Sequence, residues 1–262
     1  MSTLRLWVGS ILFTSFLFVS VPIWGLVVLA TAPFPHRVAY RLVLLWVDAV
    51  LALLRILCGL DYRVEGLERL PKEPSVLLIK HSSAWETIAQ LKIFPPQTWV
   101  LKRELLWAPV LGWVLRLLKP IAIDRQGRSA AVQQVLAQGR ERLAEGLWVA
   151  VFPEGTRMPL GQTRRYGLSG ALLAAANGRL VVPVAHNAGQ FWRRRGFLKR
   201  PGTIRVVIGD PVAVGDREPR AAMDEVQAWI EGKVAELTGL PVAVAPKAAV
   251  RNGGGEGAVA KP

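Results

Sequence analysis

The sequence predicts an α/β fold in which helices flank a central mixed sheet, preceded by an N-terminal two-helix membrane-attachment motif. From residue 61 onward, short apolar runs alternate with stretches of helical period, a pattern typical of a sheet with helices on its faces. Before residue 61 the chain consists of two long apolar runs. We therefore expect a membrane attachment over residues 1–60, an α/β domain over 61–243, and a disordered Gly/Ala/Lys tail over 244–262.

The composition limits the classes of binding partner and the cellular compartment that are expected for this protein. The 262 residues carry a formal net charge of +14, which predicts a polyanionic partner or surface: nucleic acid, anionic lipid head groups or a phosphorylated substrate. Cys58 is the only cysteine, so the chain forms no intramolecular disulfide and no cysteine-based metal cluster. A single buried-type cysteine suits a reducing, cytoplasmic environment.

The first region is apolar throughout its length. Residues 6–35 contain no charged side chain, and roughly 30 helical residues are enough to cross a hydrocarbon core or to lie tilted in it. The stretch Ala30-Thr31-Ala32 resembles a signal-peptidase site, but the apolar run exceeds the about 7–15 residues of a signal peptide. We predict a retained anchor, which either spans the membrane or lies within it.

The second run, residues 37–60, carries a thin polar stripe. Arg41, Asp48 and Arg55 are spaced by seven residues, so a helix places them on nearly the same face. This pattern fits a helix lying in the membrane interface, or one packed on the first helix with one edge in water.

The α/β region resolves into seven predicted strands and five predicted helices. Each strand is a short apolar run, and each helix has apolar residues at helical spacing. The strands cover residues 62–64, 75–79, 98–101, 120–124, 148–152, 180–185 and 203–208. The helices cover residues 84–91, 108–118, 129–145, 168–176 and 221–237.

His81 lies between the strand 75–79 and the helix that follows it. The carboxyl end of a strand is where ligands bind in open α/β sheets. Glu86, five residues further on, can bring its carboxylate to the imidazole, fix the ring tautomer and leave the other nitrogen free to accept a proton. Ser83-x-x-Glu86 is also a capping box, in which Glu86 serves the helix's own amides. Both interpretations stay open at this point.

Polar residues follow three further strands. Arg157 could bind a phosphate through two N–H groups at once, and Gly155 would let the backbone approach a ligand closely. The alternative is a plain turn after one strand and a solvated helix start after another. The three stretches are Lys102-Arg103-Glu104, Glu154-Gly155-Thr156-Arg157 and His186-Asn187.

Four stretches carry a resemblance to a known family. They are His81-x4-Glu86, Lys102-Arg103-Glu104-Leu105 with Pro109, Phe152-Pro-Glu-Gly-Thr-Arg157, and Val181-Val-Pro-Val184. In order and rough spacing they resemble the motifs of the 1-acyl-glycerol-3-phosphate (lysophosphatidate) acyltransferases, over about residues 60–210. That family usually has Asn-His-x4-Asp, where this chain has Lys80 and Glu86.

The resemblance implies a reaction and a set of site residues. A fatty acyl group would pass from acyl-CoA or acyl carrier protein to the sn-2 hydroxyl of 1-acyl-glycerol-3-phosphate, giving phosphatidic acid without a cofactor or a metal. His81 would act as the general base and Glu86 would orient it. The protein would work at the cytoplasmic face of the inner (plasma) membrane. The residues implied in binding the acceptor phosphate are Lys102, Arg103, Glu154, Gly155, Thr156 and Arg157.

Three other interpretations remain at the level of sequence. The acceptor could be a different lysophospholipid. The charge also allows a membrane-tethered nucleic-acid-binding protein, although no nucleic-acid motif occurs. A metal hydrolase would have to build its site from His81, Glu86 and the remaining imidazoles, His36 and His186. The basic stretches Arg164-Arg165, Trp192-Arg193-Arg194-Arg195 and Lys199-Arg200, interleaved with Phe191 and Phe197, instead favour contact with an anionic membrane surface.

Overall fold

The computed structural model describes residues 3–124 and 127–245, with only the backbone described at residue 128. Its helices are α1 (Thr3–Leu29), α2 (His36–Cys58), α3 (Trp85–Ile93), α4 (Leu111–Leu117), α5 (Arg128–Ala144), α6 (Ser169–Ala176), α7 (Ala188–Phe191) and α8 (Pro219–Thr238). Its strands are β1 (Leu60–Glu65), β2 (Val76–Ile79), β3 (Gln97–Lys102), β4 (Ile121–Ile123), β5 (Trp148–Val151), β6 (Gln162–Thr163), β7 (Leu180–His186), β8 (Gly202–Ile208), β9 (Val212–Ala213) and β10 (Ala243–Val244). Short 3₁₀ helices cover Leu67–Arg69 and Arg103–Trp107.

The main sheet has the strand order β1-β8-β7-β2-β5-β3-β4, and β9 pairs with the start of β7. All neighbours along this order are parallel except β7 and β8, which run antiparallel. The sheet is therefore mixed, and the predicted fold class is confirmed. β6 and β10 form a separate parallel pair.

Alternation along β2 sends its side chains into two cores. Leu77 and Ile79 belong to a core that includes residues of α1, α2 and α3, whereas Val76 and Leu78 belong to one that includes residues of α5, α6 and α8. Successive strand residues point to opposite faces of a sheet, so helices cover both faces. Because all four β2 residues are buried, the strand reads as a continuous apolar run and has no polar face.

The two N-terminal helices pack closely on each other. A Cβ atom added at Gly9 of α1 would overlap the carbonyl oxygen of Leu57 in α2, so the crossing requires glycine. α2 ends at Cys58, and Gly59 follows with a left-handed φ of 63°, the usual C-terminal helix signal. Within the described residues, α1 is the one helix that is long and apolar enough to cross a membrane, with a mean hydropathy of 2.2. This helix indicates association with a membrane.

The polar stripe of α2 faces water and neighbouring polar groups. Asp48 accepts a hydrogen bond from Lys92 of α3, and Arg55 forms an ion pair with Asp61. α2 packs on α1, while its position relative to a membrane stays a prediction.

Several element ends differ from the sequence prediction by one to three residues, and β6, α7, β9 and β10 were not predicted. Two of the differences change the description of the chain. The helix expected over 108–118 begins only at Leu111, because the chain first forms a 3₁₀ helix and then passes through Val110 at a φ of 59°. Val244, which we assigned to the tail, lies in β10 and pairs with Thr163. The rest of the predicted tail, from residue 246, lies outside the described residues.

Candidate active site

A cleft of about 2030 Å³ opens at the carboxyl ends of β2, β3 and β5. β5 pairs in parallel with both β2 and β3, so the residues that follow these strands meet at one edge of the sheet. At this edge the cleft is lined by His81, Lys102, Gly155, Thr156 and Arg157. Its other end is apolar and runs between α1, α2 and α4, with the lining Trp24, Val28, Val43, Trp46, Val114 and Leu115.

His81 and Glu86 form a hydrogen-bonded pair at the edge of the cleft. His81 Nδ1 lies 2.9 Å from Glu86 Oε1. The imidazole stacks on the ring of Phe152, with the two centroids 4.2 Å apart, and its side chain is 13% exposed. Because Nδ1 is occupied by the carboxylate, Nε2 is the ring nitrogen left for a substrate. This is the arrangement of a general base held by an orienting carboxylate.

The Glu86 carboxylate also serves the start of α3. Oε1 accepts hydrogen bonds from Ser82 N at 2.9 Å and from Ser83 N at 2.8 Å, the latter being the backward bond of a capping box. Burial raises the pKa of this carboxyl, but the hydrogen bonds that it accepts from His81 and from the Ser83 amide outweigh that effect. The net pKa lies below the usual value. The same oxygen therefore caps the helix and holds His81.

A second imidazole lies beneath Glu86. His186 is 1% exposed, with Nε2 2.7 Å from the carbonyl oxygen of Lys80 and Nδ1 3.2 Å from the amide of Ala188. Nε2 therefore donates and Nδ1 accepts, which makes the ring neutral; burial lowers its pKa accordingly. Its Nε2 lies 3.9 Å from Glu86 Oε2. The sequence showed His186 only as a polar residue at a strand end, because nothing local indicates which side chain lies across it.

Glu154 is also among the residues that line the cleft, but its carboxylate lies behind His81. Its side chain is fully buried, 3.0 Å from Lys80 Nζ and 3.2 Å from the backbone N of His81. The resemblance grouped Glu154 with the phosphate-binding residues. The structure pairs it with Lys80. Its oxygens accept from these two N–H donors, and its part in the phosphate site stays a prediction.

The cationic candidates divide into two groups. Arg157 and Lys102 line the cleft, and no ion pair of Arg157 is found within residues 3–124 and 127–245. Arg103 donates to Asp124 at 2.9 Å and is not among the cleft-lining residues. Arg164 and Arg165, which the sequence suggested as part of a membrane-facing patch, also line the cleft. Their place could not be predicted because they follow β6, a strand of only two residues.

Comparison with known proteins places the chain in a family. The acyltransferase family model matches residues 61–187. A 1-acyl-sn-glycerol-3-phosphate acyltransferase of Pseudomonas aeruginosa is 43% identical over 243 residues, which cover 91% of this chain and 94% of that protein. The chain belongs to the acyltransferase family. The region matched by the acyltransferase model contains both His81 and Arg157.

Other acyltransferases agree with this placement. A 1-acyl-sn-glycerol-3-phosphate acyltransferase of Saccharomyces cerevisiae is 34% identical over 137 residues, covering 50% of this chain and 44% of its own length. The crystal structure of the 1-acyl-sn-glycerophosphate (LPA) acyltransferase of Thermotoga maritima superposes with a TM-score of 0.73 at 23% identity. It covers 91% of this chain and 98% of that one. The two acyltransferases therefore share their fold over nearly the whole length.

Proposed function

We propose that this acyltransferase moves a fatty acyl group from a thioester to the free sn-2 hydroxyl of 1-acyl-glycerol-3-phosphate, forming phosphatidic acid. The main support is that one cleft holds the His81–Glu86 pair and Arg157 at its polar end, and continues into an apolar end between helices. An acceptor with a phosphate, a hydroxyl and an acyl chain has a matching partner for each of these groups. The name of the Pseudomonas aeruginosa relative adds a second line of support.

The proposed reaction is a direct transfer. His81 Nε2 accepts the hydroxyl proton as that oxygen attacks the thioester carbonyl. Glu86 keeps the imidazole oriented and stabilises the imidazolium that forms, through the 2.9 Å contact at Nδ1. The tetrahedral intermediate then collapses, the C–S bond breaks, and the thiolate leaves with the proton from His81. No covalent acyl-protein intermediate is needed, because the thiolate is a good leaving group.

We assign the acceptor phosphate to Arg157, assisted by Lys102, Thr156 and the backbone at Gly155. Arg157 offers a planar fork of N–H donors that matches two phosphate oxygens. Gly155 has a φ of 67°, a conformation that favours glycine and brings the backbone close to the ligand. Holding the phosphate at this point would place the hydroxyl beside His81, and such positioning lowers the barrier to transfer.

The acyl donor is a thioester of coenzyme A or of acyl carrier protein, and the reaction needs neither a cofactor nor a metal. The apolar end of the cleft, between α1, α2 and α4, would take up acyl chains. Burying each methylene contributes about 0.8 kcal/mol, so this end favours long-chain substrates over short ones.

We further propose that the enzyme sits on the cytoplasmic face of the inner membrane and contacts anionic lipids there. Trp7 of α1 lies against Phe197, with ring centroids 5.9 Å apart. The basic segment Arg193–Arg195 lies close to Phe197 in the chain, so arginines gather near the beginning of the apolar helix. Basic residues next to a membrane helix favour the cytoplasmic side and attract anionic head groups.

Purified protein should be tested with two donors, acyl-CoA and acylated acyl carrier protein, each labelled in its acyl group, against a panel of lysolipid acceptors. We expect labelled phosphatidic acid from 1-acyl-glycerol-3-phosphate, and at least tenfold lower kcat/KM for lysophosphatidylcholine and lysophosphatidylethanolamine. Equal use of the three acceptors would contradict the assignment of a phosphate monoester. Transfer to none of them, with a folded protein, would contradict the proposed reaction.

A further inference from the structure

A cluster of buried charges lies directly behind His81. Lys80 is 2% exposed and its Nζ contacts two carboxylates: Glu154 Oε1 at 3.0 Å and Glu231 at 2.8 and 2.9 Å from its two oxygens. Its third donor reaches the carbonyl oxygen of Gln162 at 3.3 Å. An ammonium group has three donors, so Lys80 is fully satisfied without water. Two acidic residues thus share one buried cation.

The far side of the cluster is fixed by α8, by β6 and by the segment that follows β6. Glu231 belongs to α8, 151 residues from Lys80 in the sequence. Its Oε1 also accepts from Thr163 Oγ1 and from Tyr166 OH, both at 2.6 Å. Tyr166 is 1% exposed, and burial raises the pKa of its hydroxyl well above the usual value, so it stays a donor. Glu231 therefore cannot leave Lys80 without breaking several buried hydrogen bonds.

The near side of the cluster is bonded to the backbone of His81. The amide of His81 donates to Glu154 Oε2 at 3.2 Å, and its carbonyl oxygen accepts from the amide of Met158 at 2.7 Å. Both peptide groups of the histidine are thus held by the loop after β5. The second bond needs no side chain, whereas the first depends on where the Glu154 carboxylate lies. Lys80 determines that position, because it is the cation that Glu154 contacts.

Electrostatics makes Lys80 the essential member of the cluster. With Lys80 present, burial and the nearby Glu231 raise the pKa of Glu154 to about 7, against the opposing effect of Lys80. Without Lys80, two buried carboxylates would face each other with no cation between them, and at least one would have to take up a proton or turn toward water. Either change would alter the hydrogen bond that Glu154 makes with His81.

We propose that Lys80 and Glu231 are positioning residues, which hold the Glu154 carboxylate against the backbone of His81 and so fix the imidazole at the cleft. The proposal rests on the function proposed above, since it assigns the network a role in that same transfer. The competing explanation is that the cluster only stabilises the fold. Separating the two requires a readout other than overall activity.

The test compares Lys80→Met, the double variant Lys80→Met/Glu231→Met, and Lys233→Met as a matched control. Lys233 lies on α8 too, but pairs with Glu236 at the surface. For each protein, kcat, the KM of both substrates and the melting temperature are measured in detergent micelles. Lys80→Met should lower kcat at least about tenfold and change either KM less than about threefold, because the substrate-binding groups stay in place. The control should match the wild type in all four values.

The double variant distinguishes positioning from stability. Replacing a buried ion pair by apolar side chains is often neutral for stability, but Thr163 and Tyr166 lose their acceptor in this variant. The melting temperature should therefore recover in part relative to Lys80→Met. If Lys80 acts through Glu154, the kcat of the double variant stays at least about tenfold below that of the wild type, because Glu154 still has no cation beside it. Recovery of kcat together with the melting temperature would overturn the proposal, and so would wild-type kcat in Lys80→Met.

Two outcomes need separate treatment. If Lys80→Met does not fold, the double variant decides alone. Wild-type kcat overturns the proposal, and low kcat with both KM values within about threefold of the wild type supports it. If the wild-type enzyme transfers no acyl group to the acceptor, the proposed function fails and the positioning role fails with it. An active wild type with an active Lys80→Met variant removes only the positioning role.

Discussion

Replacing Glu86 by glutamine tests whether its carboxylate takes part in catalysis or only caps α3. Glutamine keeps the length of the side chain and an oxygen that can accept from His81 Nδ1, Ser82 N and Ser83 N, which the carboxylate Oε1 now does at 2.8–2.9 Å. What it removes is the negative charge opposite the imidazolium. The variant therefore separates geometry from electrostatics.

The expected loss follows from that one contact. A hydrogen bond to a charged group contributes about 1.5–3 kcal/mol, and each 1.36 kcal/mol in the barrier is tenfold in rate. The Glu86→Gln variant should therefore lose about 10- to 150-fold in kcat. The loss in kcat should be larger if the introduced amide turns its NH₂ group toward His81 Nδ1. Nδ1 would then accept a hydrogen bond and the ring proton would lie on Nε2, the nitrogen that has to act as the base. Stability should fall by about 0.5–2 kcal/mol, as for a weakened helix cap.

The assay is steady-state transfer with melting temperature measured on the same preparations. Glu141→Gln, an exposed position on α5, is the control and should be silent in both. A Glu86→Gln enzyme with a lowered melting temperature and near-wild-type kcat would show that the carboxylate only caps the helix. The Glu86→Asp variant shortens the side chain by one methylene group and withdraws the carboxylate from His81 by about 1.5 Å. We expect partial activity, because the backbone has to shift before the carboxylate can reach Nδ1.

Three further predictions concern the phosphate, the buried charges and the membrane. Arg157→Lys keeps the charge and loses the fork, so the KM of the acceptor should rise about tenfold while the KM of the donor changes little; a selective rise in the donor KM would contradict the assignment. Glu154 keeps its proton in the folded protein to about pH 7, whereas the unfolded chain loses it near 4.5. The free energy of unfolding should thus fall by about 3 kcal/mol as the pH rises across this range, and Glu154→Gln should lack that slope in chemical-denaturation curves at several pH values. Replacing Arg193, Arg194 and Arg195 together by glutamine should weaken sedimentation with anionic vesicles more at low salt than at high salt; an effect that is the same at both would exclude an electrostatic role.

Local pattern was enough to predict the sheet and the edge where the cleft lies. The β2 prediction is off by one residue, and the strands around His81, Lys102 and Arg157 were found because each is a short apolar run ending in polar residues. Parallel pairing then brings those ends together, as the fold class requires. The offset between His81 and Glu86 could be judged from sequence because it lies within one strand-to-helix turn.

Contacts between distant segments were not predictable in the same way. Lys80 follows a buried strand and has no local feature that indicates Glu231, which lies on the last helix. The direction of the Glu154 side chain depends on that lysine, so the contact between the two could not be predicted from the local sequence. The late start of α4 depends on the backbone at Val110, a β-branched residue that rarely has a positive φ. Tertiary packing decides such outcomes, and the spacing of apolar residues along the sequence gives no information about contacts between distant segments.

The measurement that tests the account most directly is acyl transfer by a His81→Ala variant. Purified wild-type and variant proteins are given labelled acyl-CoA or acyl carrier protein thioester and 1-acyl-glycerol-3-phosphate, and labelled phosphatidic acid is quantified under single-turnover conditions. Loss of a general base costs about 10²- to 10⁴-fold, so the variant should be slower by that factor, with a melting temperature within a few degrees of the wild type. A folded His81→Ala protein that forms phosphatidic acid at a near-wild-type rate would contradict the central role of His81.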